Sequence, residues 1–564
     1  MERFDYYTIV IYTIGLFAIA FISAKRTSNQ KDMFAAGRQA PWWASGISGF
    51  MTMFSAGTFV VWGGIAYKMG FVAITINMCY GIASLLAGYF VAGKWNQLGV
   101  TTPAEYINLR FGKVGLHFYT WTLILKKMLS VAVSLYALAI ILVALIPLEE
   151  GNFFRNSATG NLSLTWAVIF FGSIVIVYTM IGGLWAVIMT DVVQFILLTL
   201  VVFLVAVLMI DKVDDFGELM VNLPKNFFSP TSNDYGWLFL MGWVTINFFM
   251  IGAEWAFVQR YLAVKSPSDA KKSAYIFGIM YLVTPVLWFL PPLIFRGINP
   301  DVNPEQAYIL AAKSVLPVGV LGLMFAAMFS ATASTVSSQL NVFAGVLTND
   351  FYRPLLNPVA SGRVLIRAGR ILTAILGLVL IMVALLVPSM GGAEEVIISI
   401  NSLMVLPLLA PTLWGMFSRR IGLKEMFIVA LTSFALGGIL RFGLSIQSND
   451  IDILVGVLCP ILMLIVIERF GKKNTDKGWK AVEELRISSI KALEADEAPS
   501  AFDTFPGRVI IVSLVVCAIG LFFLSSMSDS RGMIISIFGG IVLLISFLIH
   551  LGMRKMILKD KLKF

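Results

Sequence analysis

Long apolar runs separated by short polar connections dominate this chain. A run of about 20 apolar residues is what an α-helix needs to cross the hydrocarbon core of a bilayer. The pattern predicts fifteen such helices, at 7–25, 42–68, 71–94, 116–147, 163–183, 186–211, 236–262, 273–297, 317–348, 366–388, 394–417, 424–445, 451–469, 507–527 and 532–553. It indicates an all-α polytopic membrane protein.

The overall composition agrees with this pattern. Of 564 residues, 58% are hydrophobic and 13% are charged, and the mean hydropathy is +0.86, which excludes an ordinary soluble globule. The three cysteines all lie in apolar segments, which argues against a disulfide framework. No metal-ligand spacing, phosphate loop or nucleophile motif is present, so we expect a protein that is not an enzyme.

Basic residues are concentrated in every second connection. The connections that follow the predicted helices at 7–25, 71–94, 236–262 and 451–469 are basic, whereas the alternate connections carry mainly acids. By the positive-inside rule, we expect the N-terminus outside and the C-terminus in the cytoplasm. The expected location is the plasma (inner) membrane, with the protein integral to it. This topology accounts for the net charge of +10, so no nucleic-acid partner is implied.

Two of the predicted spans look interrupted. The second, 42–68, and the seventh, 236–262, carry clusters of glycine and polar residues within otherwise apolar sequence. If the first span is set aside, these are spans one and six of the remainder. Broken helices at corresponding positions of two halves indicate a transporter built from inverted repeats, with its site near the bilayer midplane.

Hydroxyl residues are unusually dense in the apolar stretch 325–350. Ala331, Ser334, Thr335 and Ser338 fall on one stripe of a helix, at i, i+3, i+4 and i+7. One interpretation is close helix packing, in which small residues let backbones approach and hydroxyls bond the preceding turn. The other is a releasable sodium site, because oxygen donors beside broken backbone are suitable ligands for an alkali cation.

Asp191 is one of the few acids that lie well inside the apolar spans, and Glu254 is another. A buried carboxylate is costly, so an intramembrane acid is a candidate for function. The alternative is that Asp191 caps a helix or pairs with a lysine near the inner face. Lys126 and Lys127 also lie within a span, where snorkelling to the inner interface is the usual explanation and binding of an anionic substrate is the alternative.

Several segments resemble the sodium/solute symporter family, which includes sodium–sugar, proline and sialic-acid transporters. They are YTMIGGLWAVIMTDVVQ (178–194), TTPAEYINLRFG (101–112), VQRYLAVKSPSDAKKSAY (258–275) and the hydroxyl-rich stretch that ends in LTNDFY. The resemblance implies a leucine-transporter-type core of five plus five helices in inverted repeats, with accessory helices. It divides the chain into an N-terminal accessory helix and cytoplasmic loop (1–41), a first repeat (42–211), a second repeat (236–417) and C-terminal accessory helices (418–564) with a cytoplasmic insertion at 471–506.

The resemblance also implies ion-binding residues. A first sodium site would consist of the backbone carbonyls of Met51, Phe54 and Ala331 and the hydroxyls of Ser334 and Thr335. A second sodium site would bring Asp191 against Ser337 and Ser338. Sodium is therefore the expected coupling ion.

The substrate site is less well defined by the resemblance. Thr58, Asn77 and Tyr281 occupy the positions where sodium–galactose transporters have glutamine, glutamate and lysine, while the asparagine of the sixth core helix is kept as Asn247. Losing both charged contacts weakens a straightforward sugar assignment. Two further candidates for the substrate site are Tyr80 and Glu254.

These observations predict a sodium-coupled secondary active symporter that imports a small polar organic solute, such as a sugar, a sugar acid or an amino acid. The alternative is a symporter-like membrane sensor without transport. The expected partners are the solute and membrane lipid, with no nucleic acid and no obligate protein partner. The insertion at 471–506 is interpreted as a solvated cytoplasmic helix.

Overall fold

The computed structural model describes residues 2–24, 38–179, 184–444, 448–472, 477–495, 505–526 and 532–561. Within these ranges the chain is helical and forms no β-strand. The first helices are α1 (Arg3–Ala24), α2 (Trp42–Met51), α3 (Gly63–Met69), α4 (Val72–Ala87), α5 (Gly93–Gln97), α6 (Pro103–Leu145), α7 (Leu164–Thr179), α8 (Leu184–Asp211), α9 (Phe216–Val221), α10 (Trp237–Ala253) and α11 (Trp255–Leu262). They are followed by α12 (Pro267–Ile298), α13 (Pro304–Val315), α14 (Val320–Val346), α15 (Gly362–Leu386), α16 (Gly392–Trp414), α17 (Leu423–Gly438), α18 (Asn449–Ile453), α19 (Cys459–Phe470), α20 (Lys477–Ala495), α21 (Phe505–Ser526) and α22 (Gly532–Lys561).

Among the described residues, fewer helices are long and apolar enough to cross a membrane than the sequence pattern predicts. In the described part of the chain, nine helices are long and apolar enough to cross a membrane, or ten if the bent pair α10 and α11 is one span. Two more apolar helices, Leu164–Val177 and Gly539–Arg554, are shorter. The first broken helix consists of α2, α3 and the turn between them, and each of these pieces is too short to count as a span by itself. The count of fifteen therefore stays a prediction.

The first predicted interruption is confirmed between α2 and α3. Helix α2 ends at Met51, residues 52–55 are not helical, and a π-helical turn at Thr58–Trp62 leads into α3. Glycine is needed where α2 approaches α12, because a Cβ at Gly46 would lie 2.6 Å from the Ser273 carbonyl oxygen. The small residues that predicted a break thus also serve close helix packing.

The second interruption is confirmed between α10 and α11. The two helices meet at an angle of 53°. Glu254 stands between them in an extended conformation, with φ −72° and ψ 138°. Its backbone N–H still donates to the Met250 carbonyl at 2.9 Å, so the break exposes few polar groups.

The hydroxyl-rich helix α14 is packed at the centre of the structure, and its side chains are largely buried. Its N-terminal end is capped by α1. One carboxylate oxygen of Asp5 accepts hydrogen bonds from the backbone N–H groups of Gly319, at 2.8 Å, and Gly322, at 3.0 Å. A carboxylate is favoured there because helix N-termini leave N–H groups unpaired and carry partial positive charge.

The predicted insertion contains α20, and the rest of it lies largely outside the described residues. The interpretation as a solvated helix is only partly right, because one face of α20 packs on the core. A Cβ at Gly478 would meet the Arg110 carbonyl at 2.3 Å, and one at Gly99 would meet the Ser489 side chain at 2.7 Å. The apolar residue Val482 on this face is buried.

Candidate functional site

The break between α2 and α3 lies directly against α14. The Thr335 hydroxyl donates to the Phe54 carbonyl at 3.2 Å. The Thr332 hydroxyl accepts from the backbone N–H of Ala56 at 2.9 Å. Hydroxyls of α14 therefore satisfy both a carbonyl and an amide that the broken helix leaves without an intrahelical partner.

Of the residues predicted for a first sodium site, the structure brings Phe54 and Thr335 into contact. Met51 lies at the end of α2, and its carbonyl accepts from the Phe54 N–H at 3.0 Å. Ala331 is buried on the same stripe of α14. Ser334 has a different partner, because its hydroxyl donates to Asp191 at 3.1 Å. The oxygen donors present are carbonyls and hydroxyls, which suit a weakly held alkali cation.

Asp191 on α8 connects three other helices. One oxygen accepts from Ser334 on α14, and the other accepts from Ser48 on α2 at 2.6 Å. Arg260 on α11 lies 3.8 Å from that second oxygen, and both side chains are buried. One prediction from the sequence was that Asp191 pairs with a lysine near the inner face. In the structure its basic partner is Arg260.

The predicted grouping of Asp191 with Ser337 and Ser338 stays a prediction. Among the described hydrogen bonds of Asp191, the hydroxyl supplied by α14 is that of Ser334, which the sequence analysis assigned to the first sodium site. Ser337 and Ser338 lie about one helical turn further along α14. The register between the two helices is not visible in sequence spacing, because Asp191 and Ser334 are 143 positions apart in the chain.

A cavity of about 110 Å³ opens beside the break in the first broken helix. Its walls come from both broken helices and from α4, α6, α14 and α16. The polar groups around it are hydroxyls and amides, namely Thr52, Ser55, Thr58, Tyr80, Ser130, Ser134, Thr335, Gln339 and Asn401. Within the described part of the lining, the charged side chains are two lysines of α6, Lys126 and Lys127.

Both lysines turn inward to the same carboxylate. Lys126 lies 2.9 Å from one oxygen of Glu254, and both side chains are only 1% exposed. Lys127 contacts the other oxygen of Glu254 and is 13% exposed. The expectation that these lysines snorkel to the interface is therefore wrong, because Glu254, at the break between α10 and α11, offers a buried partner.

The structure places only some of the predicted substrate residues at the cavity. Thr58 and Tyr80 line the cavity, and Glu254 stands behind the two lysines. Asn77 and Asn247 are buried and donate to carbonyls of their own helices, at 2.9 and 2.8 Å.

Tyr281 packs in an aromatic cluster and does not line the cavity. Its ring centre lies 4.7 Å from that of Phe50 and 5.3 Å from that of Tyr80. Four further residues line the cavity without having been predicted from the sequence as substrate residues, namely Ser130, Ser134, Gln339 and Asn401. A signal existed for the first two, since Ser130 and Ser134 follow Lys126 at i+4 and i+8 and share its face of the helix.

Sequence comparison finds transporters among the relatives of this chain. It is 27% identical over 511 residues to a sodium/glucose cotransporter of Vibrio parahaemolyticus, covering 84% of this chain and 90% of that protein. It is 27% identical over 456 residues to the sodium/sialic acid symporter NanT of Aliivibrio fischeri, covering 76% and 86%. A human sodium/myo-inositol cotransporter is 26% identical, with 77% of this chain and 65% of that protein covered.

Comparison with solved structures finds transporters of similar fold. A substrate-bound, outward-open Na⁺-coupled sialic acid symporter superposes with a TM-score of 0.68 at 22% identity, covering 84% of this chain and 99% of that one. A nucleobase–cation symport-1 family transporter in a closed conformation gives a TM-score of 0.54, covering 81% and 99%. The family model "Sodium:solute symporter family" matches residues 33–431, which is more than half of the chain. The chain therefore belongs to the sodium:solute symporter family.

Proposed function

We propose that this protein couples inward movement of sodium to uptake of a small polar organic solute. The observation that supports this function most directly is the contact between Thr335 of α14 and the Phe54 carbonyl at the break of the first broken helix. Both oxygens have lone pairs that a sodium ion could share, once the Thr335 hydroxyl rotates its proton away. The carbonyls of Met51 and Ala331 are the proposed further ligands.

Sodium in this position would hold the first broken helix against α14. Transport requires that the ion bind the outward-facing and inward-facing states unequally, because a ligand with equal affinity for both shifts neither. Release of sodium to the cytoplasm would loosen the contact beside the cavity and let the solute leave. The solute would occupy the cavity next to this contact, so the two binding events are coupled through the same backbone break.

For the architecture, we propose that 42–211 and 236–417 are five-helix inverted repeats of a leucine-transporter-type core. The two broken helices support this division, because they are the first and sixth of the ten core elements. Residues 1–41 and 418–564 would be accessory, and about fifteen helices would cross the plasma (inner) membrane.

For the solute, the charges at the cavity favour an anion. Lys126, Lys127 and Glu254 together carry one net positive charge, and bound sodium would add another nearby. Uncompensated buried charge is costly, so a carboxylate on the solute would be stabilised there. The hydroxyls and amides of the lining suit the hydroxyl groups of the same solute, as in a sugar acid.

Uptake into proteoliposomes tests this function. Vesicles that contain the purified protein should accumulate a labelled solute when an inward sodium gradient is imposed, and potassium should not replace sodium. A panel of sugars, sugar acids and amino acids identifies the solute, and sugar acids should be preferred to the parent sugars. Failure of a sodium gradient to drive uptake of any of these compounds would favour the sensor alternative.

Asp191 tests the proposed second sodium site with Ser337 and Ser338. The change Asp191→Asn keeps the shape but removes the charge that offsets ion dehydration, so the Hill coefficient for sodium should fall towards one, with transport retained at high sodium. If Asp191 serves only as a clamp for Arg260, the mutant should lose thermal stability while the Hill coefficient stays that of the wild type. A wild-type protein that takes up one sodium per solute would also exclude the second site.

The proposed topology predicts that α20 faces the cytoplasm. In a variant lacking the three native cysteines, Ser488→Cys is well placed for labelling, because Ser488 is exposed on α20. We expect no reaction with an impermeant maleimide in intact cells and full reaction after lysis. Ser157→Cys, in the exposed connection between α6 and α7, is the control that should react from outside. Labelling of Ser488→Cys in sealed cells would reverse the orientation.

A further inference from the structure

A second cavity, of about 480 Å³, lies away from the proposed transport site. It is lined by α20, by the connection between α16 and α17, and by the ends of α5 and α19, and it is open on one side. The charged residues that line it are Lys94, Arg419, Arg420, Glu468, Glu483 and Arg486. Four cations thus face two acids, which gives this pocket two net positive charges.

The two acids do not neutralise all four cations. Arg420 lies 3.8 Å from Glu468, and Arg486 lies 2.7 Å from Glu483. The remaining cations, Lys94 and Arg419, have no carboxylate within ion-pair distance in the described part of the chain. They lie instead over aromatic rings, with Lys94 3.8 Å from the ring centre of Phe417 and Arg419 5.5 Å from that of Trp479.

Arg420 and Arg486, which pair with the two acids, also have hydrogen-bond donors without an acceptor. The Nε–H groups of Arg420 and Arg486 are buried and have no acceptor among the described residues. A buried donor without an acceptor costs free energy, so native structures rarely leave such groups unpaired. The side chains of Arg420 and Arg486 are 25% and 41% exposed, so an anion from solvent can reach both of them.

We propose that this pocket binds a phosphate group. Arginine side chains present planar arrays of N–H donors that match phosphate oxygens, and the excess positive charge suits an anion. The phosphate could belong to an anionic phospholipid headgroup or to a soluble phosphate. Its position fits either source, because two candidate spans, Val72–Gln97 and Asn449–Phe470, end at the pocket and so place it at the height of a membrane interface.

The bound phosphate would join separate parts of the chain. Arg486 belongs to α20, whereas Arg419 and Arg420 belong to the connection between α16 and α17. An anion that accepts from both sides would fasten α20 to the core. This inference does not depend on the proposed transport function.

Ligand-induced thermal stabilisation of the full-length protein in detergent tests the proposal. One arm titrates water-soluble, short-chain phosphatidylglycerol against the matching phosphatidylcholine. The other titrates inorganic phosphate against chloride at equal ionic strength. The double variant Lys94→Gln/Arg419→Gln should bind the effective ligand more weakly, by about fivefold for each charge removed. Lys113→Gln removes an exposed cation elsewhere and should behave as the wild type.

The outcomes distinguish the sources. Stabilisation by phosphatidylglycerol alone assigns a lipid headgroup, and stabilisation by inorganic phosphate assigns a soluble ligand; both support the site if the double variant weakens them. If neither ligand raises Tm, or if the double variant and the wild type respond equally, the proposal is overturned. If the double variant is unstable without ligand, Arg419→Lys replaces it, since this change keeps the charge but loses the planar donors and should weaken binding less.

Discussion

Replacing Glu254 with glutamine is expected to destabilise the protein by about 3–5 kcal/mol, the usual cost of removing one partner of a buried ion pair. The change leaves Lys126 and Lys127 near each other with no carboxylate between them. Because Lys126 and Glu254 are each only 1% exposed, water cannot screen the loss. The measurement is the free energy of unfolding in detergent, followed by helical circular dichroism.

The matched control is Lys127→Met. This change removes the more exposed lysine and leaves Lys126 and Glu254 as a neutral pair, so it should cost far less stability than Glu254→Gln. It also tests the solute, because the net positive charge at the cavity disappears. Affinity for an anionic solute should then fall roughly ten- to hundredfold, while affinity for sodium should change little. A Glu254→Gln protein as stable as the wild type would show that the ion pair is not needed.

The change Thr335→Ala is expected to raise the sodium concentration for half-maximal transport roughly ten- to hundredfold. Removing one neutral oxygen ligand costs about 1–3 kcal/mol, and each 1.4 kcal/mol is about tenfold in affinity. The Phe54 carbonyl would also lose its hydrogen bond from Thr335. The measurement is the initial rate of solute uptake into proteoliposomes at a series of sodium concentrations.

Two variants show whether such an effect belongs to the sodium site. Thr335→Ser keeps the hydroxyl and should restore most of the sodium affinity. Ser330→Ala removes a hydroxyl of the same helix that faces Gln194, at 2.5 Å, and should leave the sodium dependence unchanged. If Thr335→Ala transports with wild-type sodium dependence at normal expression, Thr335 is not a ligand.

The sequence was sufficient for the features that depend on local residue types. Glycine and polar residues within apolar spans located both broken helices, since polar residues are costly in hydrocarbon unless they serve packing or binding. The dense hydroxyls of α14 likewise pointed to the helix that contacts the first break. Helix ends were placed within a few residues for most of the core, although α6 begins at Pro103, well before the predicted 116, and continues across a kink at Gly112.

The pairings between distant helices could not be predicted. Whether Asp191 meets Ser334 or Ser338 depends on a shift of one helical turn, which no periodicity within a single helix reveals. The inward orientation of Lys126 depends on Glu254, which lies 128 residues further along the chain. Such partners are selected by tertiary packing, so the sequence offered the residue types but left their combination open.

The cap that Asp5 provides to α14 has a practical consequence for handling the protein. A single carboxylate close to the N-terminus holds the start of the helix that carries the proposed sodium ligand Thr335. A purification tag or fusion partner joined directly before Asp5, or a shortened expression clone that omits it, would disturb this attachment. Tags are better placed at the other end of the chain, and N-terminal fusions need a linker that lets residues 3–5 reach Gly322.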